Sequence, residues 1–310
     1  MDNIICVVGP TASGKTALAI ELAKLLDGEV ISCDSMQIYR RMDIGTAKPT
    51  AEEMQGIRHH MIDICEPTED FSVSRYTEMA TPILEDVLRR GKTAIIAGGT
   101  GLYVDSLIRG NHFVDVPATG HRQVLEARVE AEGVEPLLAE LRQVDPEAAD
   151  RSMNNPRRII RALEVYLETG QTITAHNLHT QALPDRFSPV WIGLDFTERK
   201  DLYARIDKRV EVMLELGLMD EIRRILSSGI PEHATAMQAI GYKEFVDALA
   251  GRCSLESAIA QVQQSSRRYG KRQLTWFRRN QRMNWIYRTP QTTGEEIMEK
   301  ARQILRNFDN

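Results

Sequence analysis

The sequence predicts an α/β fold: a parallel β-sheet core flanked by helices, with a helical insertion domain. Short apolar runs rich in β-branched residues, Ile4–Val8, Glu29–Cys33, Thr93–Ala97 and Val190–Leu194, read as strands buried on both faces, with helical stretches between them. The first run leads into Gly9-Pro10-Thr11-Ala12-Ser13-Gly14-Lys15-Thr16, which satisfies the phosphate-cradling pattern G-x-x-x-x-G-K-[ST] at every fixed position. Between Val116 and Pro189 the strand-like runs disappear and only helical stretches remain. These features predict a core from residues 1–115 and 190–310 and a helical insertion over 116–189.

Bulk properties narrow the function classes. A chain of 310 residues fits one large domain or two modest ones. A net charge of −5 argues against a wholly basic nucleic-acid coat, but not against a local basic patch. Cys6, Cys33, Cys65 and Cys253 lie far apart with no C-x-x-C pair, so neither a disulfide framework nor a zinc site is expected. The start does not read as a signal peptide, and no apolar segment approaches a membrane span. A cytoplasmic, monomeric protein with no membrane partner is expected.

The phosphate loop is read from its chemistry. Gly9 and Gly14 permit the tight turn. Backbone N–H groups and the N-terminus of the following helix, Thr16–Leu26, hold anionic oxygens. Lys15 adds a point charge, and the Thr16 hydroxyl suits Mg²⁺. The motif indicates phosphates without indicating whose.

The second strand ends at Asp34-Ser35-Met36-Gln37. In an open parallel sheet, ligands bind outside the carboxyl ends of the strands, so Asp34 sits on that rim; a helix cap or turn Asp is the alternative. Residues 39–60 are loop, with Lys48 extended before Pro49. His59 and His60 precede a possible strand, Met61–Ile64; adjacent strand residues face opposite ways, so the pair is structural or on the surface. Phe71–Arg90 has helical spacing and closes at Gly91. The strand Thr93–Ala97 runs into Gly98-Gly99-Thr100-Gly101-Leu102-Tyr103, without the carboxylate that a nucleotide hydrolase often carries there.

The insertion reads as helices over Arg122–Glu132, Glu135–Val144 and Pro156–Glu168, with Pro117, Pro184 and Pro189 marking its edges. Arg157 and Arg161 share a helix face, either as solvated charge or as phosphate contacts. After the strand Val190–Leu194, a helix from about Glu198 carries Arg205 and Arg209. These face either the neighbouring acids Asp201, Asp207 and Glu211 or a phosphate. Gln238–Lys243 is a loop-to-helix transition. Arg267, Arg268, Lys271, Arg272, Arg278, Arg279 and Arg282 then cluster with no acid between them, interleaved with Tyr269, Trp276 and Phe277 and followed by Trp285. That pattern suits phosphate grip with base stacking, or an amphipathic helix with buried aromatics. An amphipathic helix over Glu295–Phe308 ends the chain.

Taken together, Gly9–Thr16, Asp34-Ser35-Met36-Gln37-Ile38-Tyr39, Asp43-Ile44-Gly45-Thr46-Ala47-Lys48-Pro49, Gly98–Tyr103, Ala239-Ile240-Gly241-Tyr242-Lys243-Glu244 and Lys271-Arg272-Gln273-Leu274-Thr275-Trp276-Phe277-Arg278 resemble, in the same order, the blocks of tRNA dimethylallyltransferases. The resemblance covers nearly the whole chain. Arg41 stands where a Gly is expected and Gly270 where an Ala is usual. The chain looks like the bacterial form, lacking the C-terminal Cys/His of the eukaryotic zinc finger.

The resemblance implies a P-loop NTPase-like core and transfer of a dimethylallyl group from dimethylallyl diphosphate to an adenosine amine in a tRNA anticodon stem-loop, with Mg²⁺ as cofactor. It implies Asp34 as general base, and Lys15, Thr16 with Mg²⁺, the loop from Gly9 through Pro10, Thr11, Ala12, Ser13 and Gly14, and Arg209 as stabilisers of the diphosphate. Thr100 and Gly101 fall near the reacting groups. As tRNA contacts it implies Asp34, Ser35, Met36 and Gln37; Gln123; Arg157, Arg158, Ile159, Ile160 and Arg161; Gln238, Ala239, Ile240, Gly241, Tyr242 and Lys243; and Lys271 and Arg272. A prenyl transferase acting on a free adenine nucleotide shares the loop, but the insertion and the basic-aromatic segment favour a large anionic acceptor. A small-molecule kinase would prefer the missing carboxylate, and a nucleotide-switched RNA-binding protein would leave Asp34 without a role.

Overall fold

In the computed structural model, residues 3–110, 119–182 and 184–309 are described. The apolar runs form β1 (Ile4–Val8), β2 (Gly28–Ser32), β4 (Thr93–Gly98) and β5 (Val190–Phe196), joined by β3 (His59–His60) and β6 (Met283–Arg288). All pair in parallel, in the order β3-β2-β4-β1-β5-β6. Every residue of β1, β2 and β5 is buried, which is why these strands lack polar alternation. The chain leaves β1 at the centre of the sheet, passes over β4 to reach β2, and later crosses to β5 on the other side of β1. The connections diverge there, so the loops after β1, β2 and β4 meet at the carboxyl edge, where open α/β sheets take ligands.

Helices Lys15–Leu25, Val73–Arg89, Gly101–Arg109, Arg199–Glu215, Leu255–Phe277 and Gly294–Asp309 belong to the same unit, which comprises Met1–Gly110 and Arg186–Asn310. Val190 was the expected point of return to the core. The return comes earlier, at Arg186, because Phe187 is buried in the core and its N–H donates to the Ile108 carbonyl at 3.1 Å. The expected junction at 115/116, with Val116 and Pro117, lies outside the described residues.

Two elements differ from the sequence reading. The strand expected over Met61–Ile64 falls instead on His59–His60. His60 Nε2 lies 2.7 Å from Glu29 Oε2, and Arg90 holds both Glu29 oxygens at 2.5 and 2.8 Å. The Arg90 hydrogen bonds, outweighing burial and helped by His60, push the Glu29 carboxyl down to about 2. The basic-aromatic run is not one helix: it stops at Phe277, turns through Arg278–Arg282, and enters β6, which carries Trp285.

The second unit, Asn111–Asp185, contains helices His121–Glu132, Glu135–Val144, Pro146–Ser152, Pro156–Thr169 and Ile173–Ala182. Its own core includes Leu125, Leu137, Leu141, Ile159, Ile160 and Leu163. Asn155 caps the helix that Pro156 opens, accepting from the Arg157 N–H at 3.0 Å. Part of the expected contact stretch on this helix is therefore core: Ile159 is 0% and Ile160 5% exposed, so neither offers a side chain to RNA, whereas Arg157 and Arg158 are exposed. No helix among the described residues is long and apolar enough to cross a membrane.

Candidate active site

The loop after β1 is shaped by close approach. A Cβ on Gly9 would fall 2.4 Å from the Leu194 carbonyl, and Gly14 sits at φ +97°, a conformation that L side chains rarely adopt. Gly14 precedes the helix Lys15–Leu25 and supplies no side-chain cap, so the N–H groups of the first turn are left for an anion. Lys15 Nζ is drawn back onto the Pro10 carbonyl at 2.6 Å. Burial first, and then the like charge of Arg209, hold the Lys15 ammonium down at about 7 against the opposing pull of Asp34.

Arg209 enters from the helix Arg199–Glu215, and its Nη1 donates to Thr11 Oγ1 at 3.0 Å. Two of the three acids that were its alternative partners pair elsewhere: Asp207 with Arg267 at 2.5 Å and Glu211 with Lys208 at 3.0 Å. Burial lowers its pKa, and Asp34 is the first of the charges opposing that shift. Arg205 is exposed on the same helix.

Asp34 does both things the sequence left open. Its Oδ1 accepts from Met36 N at 2.9 Å and Gln37 N at 3.4 Å, closing an Asx turn, and the residue also lines the cavity. Thr100 Oγ1 accepts from the Ser35 N–H at 3.1 Å, joining the ends of β2 and β4. Ser32 Oγ donates to Gln37 Oε1 at 3.1 Å, and Gln37 Nε2 donates to the Thr46 and Ala47 carbonyls at 3.3 and 3.2 Å.

These residues enclose a cavity of about 450 Å³. Thr11, Lys15, Thr16 and Arg209 line it, as do Asp34–Gln37, Gln238–Gly241 and Lys243. Ile206, Val210, Met213 and Val262 give it an apolar wall. Asp34 is the only acid among the lining residues, against Lys15, Arg209, Lys243 and Arg272. The wall therefore suits an anion, an apolar group and one proton acceptor together.

The family model for IPP transferase matches residues 37–280. The tRNA dimethylallyltransferase of Acetivibrio thermocellus is 44% identical over 310 residues, covering 99% of each chain. That of Halalkalibacterium halodurans is 47% identical over 300 residues, 96% of this chain and 95% of its own. The chain belongs to the IPP transferase family. Among solved structures, the tRNA isopentenylpyrophosphate transferase of Bacillus halodurans aligns with TM-score 0.72 and 43% identity over 100% of both chains. A eukaryotic dimethylallyltransferase acting on tRNA aligns with TM-score 0.84 and 27% identity over 98% of this chain and 78% of its own.

Several residues expected at the site of this IPP transferase have other surroundings. Tyr242 is fully buried and donates its hydroxyl to Glu221 Oε1 at 2.6 Å, so it supports the wall from behind. Gly101 is buried beneath Trp276, whose Cδ1 would lie 2.2 Å from a Cβ there. Trp276 Nε1 in turn donates to Asp105 at 2.8 Å, and Phe277 is core. The basic patch is partly neutralised by acids remote in sequence, since Arg278 pairs with buried Asp195 at 3.0 Å and Arg267 with Asp207. Arg272 lines the cavity and stacks on Tyr269 at 5.5 Å, whereas Lys271 is exposed and outside the lining. Gln123, Arg157, Arg158 and Arg161 belong to the second unit, where Arg161 pairs with Glu164 at 2.8 Å.

Two residues of the IPP transferase site escaped sequence reading. Glu221, 3% exposed, accepts from the backbone N–H groups of Asp43, Ile44 and Gly45 at 2.9, 2.8 and 3.2 Å, as well as from Tyr242. In sequence it is one acid in the first turn of an ordinary amphipathic helix, Leu218–Ser227, and nothing local marks it. Gln273 is buried between the phosphate loop and Gly99. Its only signal was an uncharged amide inside a basic-aromatic run.

Proposed function

We propose that the protein transfers a dimethylallyl group from dimethylallyl diphosphate to the exocyclic amine of the adenosine 3′ to the anticodon, in tRNAs reading codons that begin with U, and releases diphosphate. The observation that carries this reading is the cavity wall: a phosphate loop and Arg209 share it with Asp34 as its one acid. The relatives named tRNA dimethylallyltransferase support it.

The chemistry follows from those groups. The allylic carbon–oxygen bond of the donor breaks and the amine nitrogen forms a bond to that carbon. The amine proton passes to Asp34, and the electron pair of the broken bond leaves on diphosphate. Loop N–H groups, Lys15 and Arg209 stabilise the developing charge; one such fixed donor is worth about 3–4 kcal/mol. A positioned base contributes about 10²–10⁴-fold. The donor set suits Mg²⁺ that arrives with its substrate: the cavity offers the Thr16 hydroxyl, and no cluster of three acidic, His or Cys groups exists among the described residues to hold a metal unaided. When bound, Mg²⁺ at Thr16 supplies further charge neutralisation to the leaving diphosphate. The target base must leave its stack to reach a cavity of this kind. Arg272, Lys243, Gln238 and the neighbouring Lys271 serve as tRNA contacts on the core. Gln123, Arg157, Arg158 and Arg161 serve on the insertion. We place the protein in the cytoplasm as a monomer.

The test is incubation with labelled dimethylallyl diphosphate and either tRNA or adenosine monophosphate. Label enters the tRNA on this reading; label in the mononucleotide alone refutes it.

A further inference from the structure

Gln273 ties together two loops that the reaction must hold in register. It is 5% exposed, on the helix Leu255–Phe277. Its Nε2 donates to the Gly99 carbonyl at 3.0 Å, and its Oε1 accepts from the Thr11 N–H at 2.8 Å. A primary amide carries, side by side, the donor and the acceptor that this bridge requires. A carboxylate has no proton for Gly99, and an ammonium or guanidinium has no acceptor for Thr11. The seat is shaped for it, since a Cβ on Gly99 would lie 2.1 Å from Nε2.

The bond has a consequence for the loop. Thr11 is inside the phosphate loop, yet its N–H points to Gln273 rather than being free for an anion. Its hydroxyl is thereby fixed where Arg209 Nη1 reaches it at 3.0 Å. Arg209 has no carboxylate partner within 4.0 Å among the described residues, so this neutral hydroxyl is what orients it. The chain of contacts runs from Gly99, the neighbour of Thr100, through Gln273 and Thr11 to the guanidinium.

We infer that Gln273 is a positioning residue: it locks Thr11, and through Thr11 holds Arg209 in place for the donor's diphosphate. This rests on the proposed role of the phosphate loop as the diphosphate site.

The test is a double-mutant cycle read by calorimetric titration of inorganic diphosphate with Mg²⁺ into the full-length protein. Gln273→Met and Thr11→Val should each weaken binding about tenfold, the scale of one lost hydrogen bond to a charged site. If Gln273 acts through Thr11, the double variant is also weakened about tenfold. Independent structural roles would instead give about a hundredfold, and that additive result overturns the inference. Gly99→Ala displaces the amide without touching Thr11, so it should reproduce the Gln273→Met loss and add nothing to it. If Gln273→Met does not fold, Gly99→Ala with Thr11→Val completes the same cycle. A folded Gly99→Ala protein that binds diphosphate like the wild type overturns the inference. Wild-type protein that binds no diphosphate sinks the reading of the loop itself, and the inference with it; wild-type binding with an additive cycle sinks the inference alone.

Discussion

If Lys15 holds the donor's diphosphate as proposed, donor binding at pH 8 should take up protons. In the unliganded protein, burial and Arg209 hold the Lys15 ammonium at about 7 rather than the ordinary 10.5. At pH 8 only about one molecule in ten then carries the charge. A bound diphosphate neutralises the like charge of Arg209 and places anionic oxygens beside Nζ, which returns the pKa toward or above its ordinary value. Binding of dimethylallyl diphosphate at pH 8 should therefore take up about 0.9 proton, whereas at pH 6 Lys15 takes up only about 0.1 while the half-protonated donor gives up about 0.5, a net release of about 0.4. The donor itself is nearly fully ionised at pH 8, since the last ionisation of a phosphate monoester lies near 6. The assay is calorimetry without tRNA, in buffers of low and high ionisation enthalpy; the slope of apparent enthalpy against buffer enthalpy counts the protons. A slope of zero at pH 8, or the same slope at pH 6 and pH 8, refutes the reasoning. The sign for stability follows from the same shift. The folded pKa lies below the unfolded one, so between pH 7 and 10.5 the unfolded chain binds more protons. This group's contribution to the stability of the unliganded protein therefore rises with pH across that window.

Three further outcomes are expected. Asp34→Asn keeps an acceptor for the Met36 N–H and so preserves the turn; turnover should fall about 10²–10⁴-fold while tRNA binding persists, and wild-type turnover would remove Asp34 as the base. Replacing Lys243 and Arg272 together with Ala should weaken tRNA binding and flatten its dependence on log salt by about one for each phosphate no longer gripped; an unchanged slope makes these side chains structural. Glu221→Ala strands three backbone N–H groups and the Tyr242 hydroxyl in a buried site, so urea denaturation should report a loss of about 3 kcal/mol or more, and a loss below about 1 kcal/mol would mean that loop 43–45 finds other acceptors.

The parts of the fold that were legible are those set by local pattern. The phosphate loop, β1, β2, β4 and β5 depend on short runs whose composition and glycine spacing are visible at once. Edge strand β6 was not legible: Met-Asn-Trp-Ile-Tyr-Arg mixes buried and exposed positions, since it pairs on one side only, with β5. The expectation of Gly at Arg41 has a physical basis, for Arg41 sits at φ +66°, and its guanidinium is engaged by Glu66 at 2.7 Å. An Ala at position 270 would also be nearly accommodated, with Ile206 Cδ1 3.3 Å from its Cβ. The burial of Ile159 and Ile160 was within reach of helical periodicity, because Leu163 continues their face while Arg157 and Arg158 lie off it.

By itself, then, the sequence determined the phosphate-loop pattern after β1, an acid, Asp34, at the end of β2, and a basic segment later in the chain; residue type and short spacing carry all three. Only tertiary structure decided which charges are free to act. Arg209 lines the cavity and donates to Thr11, while Asp207 and Glu211 pair with Arg267 and Lys208. Arg278, just past its helix, is held by Asp195 of β5. Glu221 and Gln273 reach the site from helices far along the chain. A hydrogen bond or ion pair depends on positions in space to within a few tenths of an ångström, and those positions arise only when the sheet brings its loops together.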